Sequence, residues 1–123
     1  MSSTLQKGAF TDDAVQKLLA GPFVLVATSG AVDPHTANRY LFTKSGVAAM
    51  TLAAPTSGVD DGLELQFIST TANAHTVTAT GLFVDGAAHV NVATWSSNAG
   101  GQLSIVAYQG KWYVQNLQAV TMS

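Results

Sequence analysis

Alternation of apolar and polar residues over short segments is the feature of this chain that most limits how it can fold. Residues 63–67 read Leu-Glu-Leu-Gln-Phe, and residues 76–80 place Val77 and Ala79 between threonines. The side chains of a β-strand point alternately to its two sides, so this pattern predicts strands with one buried face and one solvent-exposed face. Similar short segments, separated by turn residues, recur over residues 23–27, 39–43, 48–53, 90–92, 103–108, 112–114 and 120–122.

Glycine marks several of the boundaries between these segments. Asp61-Gly62, Asp85-Gly86 and Gln109-Gly110 each adjoin a predicted strand, where glycine tolerates the positive φ of a tight turn. The pair Gln109-Gly110, between residues 105–108 and 111–114, predicts the clearest hairpin. The number and spacing of the segments indicate an all-β fold, an antiparallel sandwich or barrel of about eight strands.

The first 21 residues break this pattern and predict an N-terminal arm that contains a short helix. Thr11 suits the helix cap, the aspartates at 12 and 13 favour the positive end of the helix, and Gly21-Pro22 ends it. We therefore divide the chain into an arm, residues 1–21, and a β domain, residues 22–123. The arm either covers the end of its own β domain or docks onto a neighbouring molecule, and we favour the second role. The side chains expected to make that contact are apolar: Leu5, Phe10, Val15, Leu18 and Leu19.

Charge is scarce, which narrows the choice of partners. Only 10% of the residues are charged, against roughly a quarter in ordinary soluble domains. With five lysines and arginines and a net charge of -2, the chain is a poor match for a phosphate backbone, so we expect no nucleic-acid partner. A sparsely charged polar surface is common on proteins that are packed against neighbours. We also expect no signal peptide and no membrane span, because no apolar run approaches the roughly 20 residues that cross a bilayer.

The sequence offers no arrangement typical of catalysis. It has no cysteine, and His35, His75 and His89 lie far apart in separate predicted elements. Asp60-Asp61 followed by Gly62 lacks the regular oxygen ligands of a calcium loop and is interpreted as a charged turn. We therefore predict no catalytic residue, no cofactor and no metal site, and a protein that is not an enzyme.

Aromatic residues provide one alternative interpretation. Trp95, Trp112 and Tyr113, with Tyr108 nearby across the hairpin, form a candidate exposed platform on which a sugar ring can stack. In alternating strands, however, at least one of Trp112 and Tyr113 must point inward. The outward one is then expected to contact another protein or a glycan.

Four blocks of sequence, in fixed order, carry a resemblance to a known family. They are Gly-Val-Ala-Ala-Met-Thr-Leu-Ala-Ala-Pro-Thr at 46–56, Asp-Gly-Leu-Glu-Leu at 61–65, the threonine-rich 69–78, and Leu-Ser-Ile-Val-Ala-Tyr-Gln-Gly-Lys-Trp-Tyr at 103–113. Over this stretch, more than half its length, the chain resembles small tailed-phage virion proteins encoded among the head genes. These are capsid decoration proteins or the shell-attached parts of head fibres.

The resemblance implies a subunit that binds the outside of an assembled capsid, with the major capsid protein as its partner and a homotrimer as its form. It also implies synthesis in the cytoplasm of the bacterial host and location on the virion, without enzymatic activity or cofactor. Residues 1–44 match the family poorly, so we expect the protein's own attachment element there. The rival interpretation is a carbohydrate-binding module displayed on the virion for adhesion to host glycans.

Overall fold

The computed structural model describes residues 23–86 and 90–123, and these form a two-sheet β-sandwich with no helix. The strands are β1 Phe23–Val26, β2 Gly30–Val32, β3 Arg39–Phe42, β4 Ala49–Leu52, β5 Glu64–Ser69, β6 Thr76–Thr78, β7 Phe83–Val84, β8 Val92–Trp95, β9 Gln102–Tyr108, β10 Lys111–Gln118 and β11 Val120–Met122. Sheet A has six strands in the order β1-β3-β5-β9-β10-β7, and sheet B has five in the order β11-β8-β6-β4-β2.

The first six strands wind around the core, because the chain passes from one sheet to the other after each strand. Strands β1, β3 and β5 lie side by side in sheet A, and β2, β4 and β6 lie side by side in sheet B. After each excursion to the opposite sheet the chain returns in its original direction, so neighbours within each sheet are parallel. The all-β prediction is therefore confirmed, whereas the prediction of an antiparallel sheet arrangement is wrong for this half. Alternation shows which face of a strand is buried but not which strand lies beside it.

The second half of the chain completes both sheets with antiparallel pairs, apart from the short β7, which lies parallel to β10. β9 pairs with β5 and β10, while β8 pairs with β6 and β11. The predicted hairpin at Gln109-Gly110 is confirmed: Tyr108 pairs with Lys111, and the two turn residues have φ of 50° and 79°. Positive φ at both central positions is the geometry of the type I′ turn, whose twist matches that of paired strands.

One apolar core fills the space between the sheets. Inward side chains from both sheets belong to a single cluster that includes Phe42, Phe67, Leu103, Trp95 and Trp112. Within it, Phe42 stacks on Phe67, with ring centroids 6.3 Å apart, and meets Trp95 edge-on at 5.0 Å. Inward and outward positions alternate along the strands, as the sequence predicted, and β9 shows this over its full length.

Two short strands of the structure are not predicted by the sequence. β2 (Gly30–Val32) and β7 (Phe83–Val84) are two or three residues long and lie at sheet edges, too short to show alternation. Together with the others they bring the total to eleven strands in the described residues, rather than about eight. The predicted arm with its helix, residues 1–21, lies outside the described residues.

Replacing Gly101 by alanine is expected to destabilise the domain by about 1–3 kcal/mol. Gly101 is buried, and a Cβ added there would lie 2.6 Å from Cδ1 of the buried Trp95. Gly46→Ala is the matched control, because its added Cβ would meet only the end of the Lys44 side chain, at 3.3 Å. Neither glycine has the left-handed φ that would itself penalise alanine. Urea unfolding of both variants measures the difference, and equal stabilities would contradict this account of Gly101.

Candidate functional site

The structure corrects the predicted aromatic platform. Trp95 and Trp112 are 1% and 0% exposed, so the prediction that they form an exposed contact is wrong. Trp112 lies opposite the buried Ala107 on β9 and the buried Phe83 on β7, on the inward face of sheet A. The expectation that one of the two neighbours points inward is confirmed, because Tyr113 is 37% exposed.

Tyr113 has an exposed companion across the hairpin. Tyr108, which is 54% exposed, approaches it with ring centroids 6.1 Å apart and planes tilted by 60°. Both side chains are on the outer side of sheet A, because Tyr113 pairs with Val106 and Tyr108 lies two residues further along β9. We call Tyr108 and Tyr113 the tyrosine pair. The sequence predicts that the two tyrosines lie near each other, and the hairpin register shows that they share a face.

A polar groove of about 200 Å³ crosses the outer side of sheet A next to this pair. The side chains of its lining come from four strands and from the residue before β3, and the strand register brings them together. The residue Asn38 donates from its amide nitrogen to the backbone oxygen of Glu64 over 2.7 Å, which holds one wall in place. We define the polar groove by its six polar residues: Asn38, Arg39, Glu64, Gln66, Ser104 and Gln115. The sequence does not predict this groove, because its residues are spread from position 38 to position 115 without forming a motif.

The outer side of sheet B differs in chemistry. None of the residues in strands β2, β4, β6, β8 and β11 is charged, whereas sheet A includes Arg39, Glu64 and Lys111. Register places two rows of small side chains side by side across this face. We define the threonine face by these rows, Ala49-Thr76-Thr94-Thr121 and Ala31-Thr51-Thr78-Val92.

Strand β1, at one edge of sheet A, is apolar. Phe23 and Leu25 of β1 point outward and are 51% and 57% exposed, and Leu41 and Ile68 continue the row that Leu25 begins. The chain enters the described β domain at this edge. The side chains predicted to contact the capsid or another subunit, Leu5, Phe10, Val15, Leu18 and Leu19, precede it and lie outside the described residues.

Two of the three histidines have defined partners in the described residues. His35 Nε2 lies 2.9 Å from Oδ1 of Asp60, whose Oδ2 accepts from the backbone nitrogen of Thr56 over 2.7 Å. The hydrogen bond to Asp60 raises the pKa of His35, and the same bond lowers the pKa of Asp60. This pair joins the β2–β3 loop to the β4–β5 loop, and we interpret it as a structural clasp.

His75, in contrast, is fully buried, and its ring stacks on the core residue Phe42 with centroids 4.8 Å apart. Its Nδ1 accepts from the backbone nitrogen of Ala48 over 3.0 Å, and Nε2 lies 2.9 Å from the hydroxyl oxygen of Thr71. Burial lowers the pKa of His75 and so favours the neutral form of the ring. His89 lies outside the described residues.

Residues 23–86 and 90–123 contain no group of three or more histidine, aspartate or glutamate side chains that could hold a metal ion. In the same part of the chain, no helix has the length and apolar character to cross a membrane. Neither a scan against protein-family models nor a search of curated proteins returns a match to this chain.

Proposed function

We propose that this protein is a structural subunit of a tailed-phage virion, which binds the outside of the capsid as a decoration or head-fibre subunit and stabilises the shell. The observation that carries the proposal is the threonine face, a side of sheet B without charged residues in any of its five strands. The resemblance of residues 46–113 to capsid decoration and head-fibre proteins supports the same class. We assign no catalytic role to any residue.

An uncharged face suits permanent contact with another protein for a physical reason. Removing a charged side chain from water is costly unless it finds a partner, and the centres of protein interfaces are accordingly depleted in charge. Threonine, alanine and valine have few rotamers to lose when they are immobilised, so ordering them costs little entropy. The threonine face can therefore be covered over a wide area at a small desolvation and entropy cost.

The partners in this proposal are the major capsid protein and further copies of the chain itself. A homotrimer presents three such faces at once, and binding of the first raises the effective concentration of the next, so weak contacts become durable. The arm residues Leu5, Phe10, Val15, Leu18 and Leu19 would add a second contact to capsid or neighbouring subunit. The protein would be made in the bacterial cytoplasm and located on the virion surface.

Inserting a charge on the threonine face is expected to abolish attachment to shells. Thr51→Lys places a lysine on an exposed position of β4 in the middle of this face, where docking would bury it. Gln115→Lys, on an exposed position of sheet A, is the matched control. Co-sedimentation with capsid shells prepared without this protein should show binding that Thr51→Lys weakens at least tenfold and Gln115→Lys leaves unchanged.

Circular dichroism and urea unfolding establish that both lysine variants remain folded. Absence of binding by the wild-type protein to such shells would overturn the proposed function. Binding that survives Thr51→Lys would instead show that another surface, such as the arm, makes the contact.

A further inference from the structure

We propose that the polar groove on the outer side of sheet A binds an uncharged sugar ring, with the tyrosine pair and Phe23 stacking against neighbouring rings. This site lies on the opposite sheet from the threonine face, so it goes beyond the proposed capsid attachment and does not depend on it. In the attached protein, sheet A would face away from the shell and display the groove.

The size of the groove restricts what it can hold. Pockets for drug-sized ligands have volumes of about 300–1,000 Å³, whereas this groove has about 200 Å³ and is open to solvent along the sheet. It can therefore take one small ring at a time. Gln115 lies at a β-bulge: Val114 pairs with Ile105 and Asn116 with Ser104, so Gln115 is an extra residue without a partner on β9. Bulges redirect side chains next to binding sites, and this one supplies a wall of the groove.

The lining has the hydrogen-bonding character that hydroxyl groups require. Each sugar hydroxyl both donates and accepts, and the amides of Asn38, Gln66 and Gln115 offer both functions within one groove. Arg39 contributes donors and Glu64 contributes acceptors, and their opposite charges leave the groove with no net charge. An anionic ligand would be attracted by Arg39 but repelled by Glu64, and a cationic ligand the reverse, so the lining favours neither sign of charge and suits an uncharged polyol.

Exposed aromatic side chains lie outside the lining of the groove, at register positions on either side of it. On β1, Phe23 pairs with Arg39, and on β10 the tyrosine pair is joined to Glu64 through Val106. From β1 to β10 the sheet spans four strand spacings of about 4.8 Å, or roughly 19 Å. Aromatic faces attract the C–H faces of sugar rings, while the ring hydroxyls remain free for polar partners. The arrangement thus suits a short linear oligosaccharide that crosses the strands, with its central ring in the groove.

The experiment is a binding measurement with defined neutral sugars. Saturation-transfer difference NMR of the full-length protein is recorded with methyl glycosides of glucose, galactose, mannose and N-acetylglucosamine and with linear trisaccharides of each. We expect saturable binding of at least one of them, tighter for the trisaccharide than for its monosaccharide. Glu64→Gln and Gln66→Ala should each weaken that binding at least tenfold, and Tyr113→Ala should reduce the gain from the longer chain. Thr51→Ala, on the threonine face, should leave binding unchanged.

Circular dichroism of the variants establishes that they are folded, and Glu64→Gln preserves the shape of the side chain. No saturable binding to any of these sugars would overturn the inference, as would binding that both groove variants leave intact. Binding lost with Thr51→Ala would equally overturn it, since the site would then be on sheet B. Attachment of the groove variants to capsid shells is expected to remain normal, so failure of this inference and failure of the proposed function are distinguishable.

Discussion

Replacing Trp112 by alanine is expected to lower the free energy of unfolding by about 3–5 kcal/mol, a large share of the 5–15 kcal/mol that stabilises an ordinary domain. The indole is fully buried, and its Nε1 donates to the backbone oxygen of Ala53 over 3.0 Å. Trp112 belongs to sheet A and Ala53 directly follows β4 of sheet B, so this one side chain joins the two sheets. Alanine would leave a cavity between the sheets and remove that bond.

Two further variants separate the contributions to this loss. Trp112→Phe fills most of the space but removes the donor to Ala53, and is expected to cost about 1–2 kcal/mol. Tyr113→Ala, one residue along and on the outer side of the sheet, should cost clearly less than Trp112→Ala, because its ring lies outside the core and 37% of the residue remains exposed. Urea unfolding at pH 7.5 measures all three.

Comparable losses for Trp112→Ala and Tyr113→Ala would contradict the inward orientation of Trp112. The comparison also bears on glycan binding. If sugar binding is found and Trp112→Ala abolishes it while Trp112→Phe does not, the effect follows loss of the fold rather than loss of a stacking platform.

The sequence was sufficient to predict most strands but not their partners. Alternation in residues 63–67 and the turn at Gln109-Gly110 depend on local chemistry, and the structure confirms both. The parallel pairing among strands β1 to β6 depends on which strands become neighbours in each sheet. Side-chain periodicity is the same in parallel and antiparallel pairs, so it could not predict this pairing. β7, with two residues, owes its place to pairing with β10, which no local pattern predicts.

The candidate surfaces were less accessible to sequence reasoning than the strands. The choice between Trp112 and Tyr113 as the inward residue depends on which face of β10 meets the other sheet, and periodicity alone gives two equal answers. The residues of the polar groove lie between Asn38 and Gln115 in the sequence, and only the strand register brings them together. The threonine face does have a signal in the sequence, because every strand that the structure places in sheet B lacks charged residues. Without the sheet order, that signal could not be assigned to one face.

His75 is expected to make the protein sensitive to mild acid. Nδ1 accepts a hydrogen bond from the backbone nitrogen of Ala48, so it carries no proton, and the proton on Nε2 is donated to the hydroxyl oxygen of Thr71. That hydroxyl in turn donates to the backbone oxygen of Lys44 over 2.8 Å. A second proton on the ring would break the bond to Ala48 and place a charge in the apolar core beside Phe42.

The pKa of His75 is lowered, first by burial and further by the charge of Lys44, while the hydrogen bond at Thr71 acts in the opposite direction. The unfolded chain, with the ordinary value of 6.5, therefore binds the proton more readily than the folded chain. By linkage, the contribution of His75 to stability is fully present above pH 6.5 and decreases as the pH falls from there towards the lowered pKa. His35 behaves oppositely: its pKa is raised, so its contribution is complete below 6.5 and is lost only as the pH rises through the raised value.

Among the groups of residues 23–86 and 90–123 whose pKa is shifted, only His75 therefore loses its contribution between pH 6.5 and 3.8, because the contributions of the low-pKa carboxylates of Asp33 and Asp60 are lost only below their ordinary value of 3.8. His75→Asn keeps an oxygen that can accept from Ala48 but does not titrate, and its stability should change less between pH 7 and pH 5 than that of the wild type. His75→Ala, which removes the ring and leaves the Ala48 nitrogen without its acceptor, should cost about 2–4 kcal/mol at pH 7. His35→Asn, at the exposed clasp, should retain the wild-type decrease below pH 6.5. If His75→Asn loses as much stability as the wild type over this range, the acid sensitivity arises from another group and not from protonation of the His75 ring.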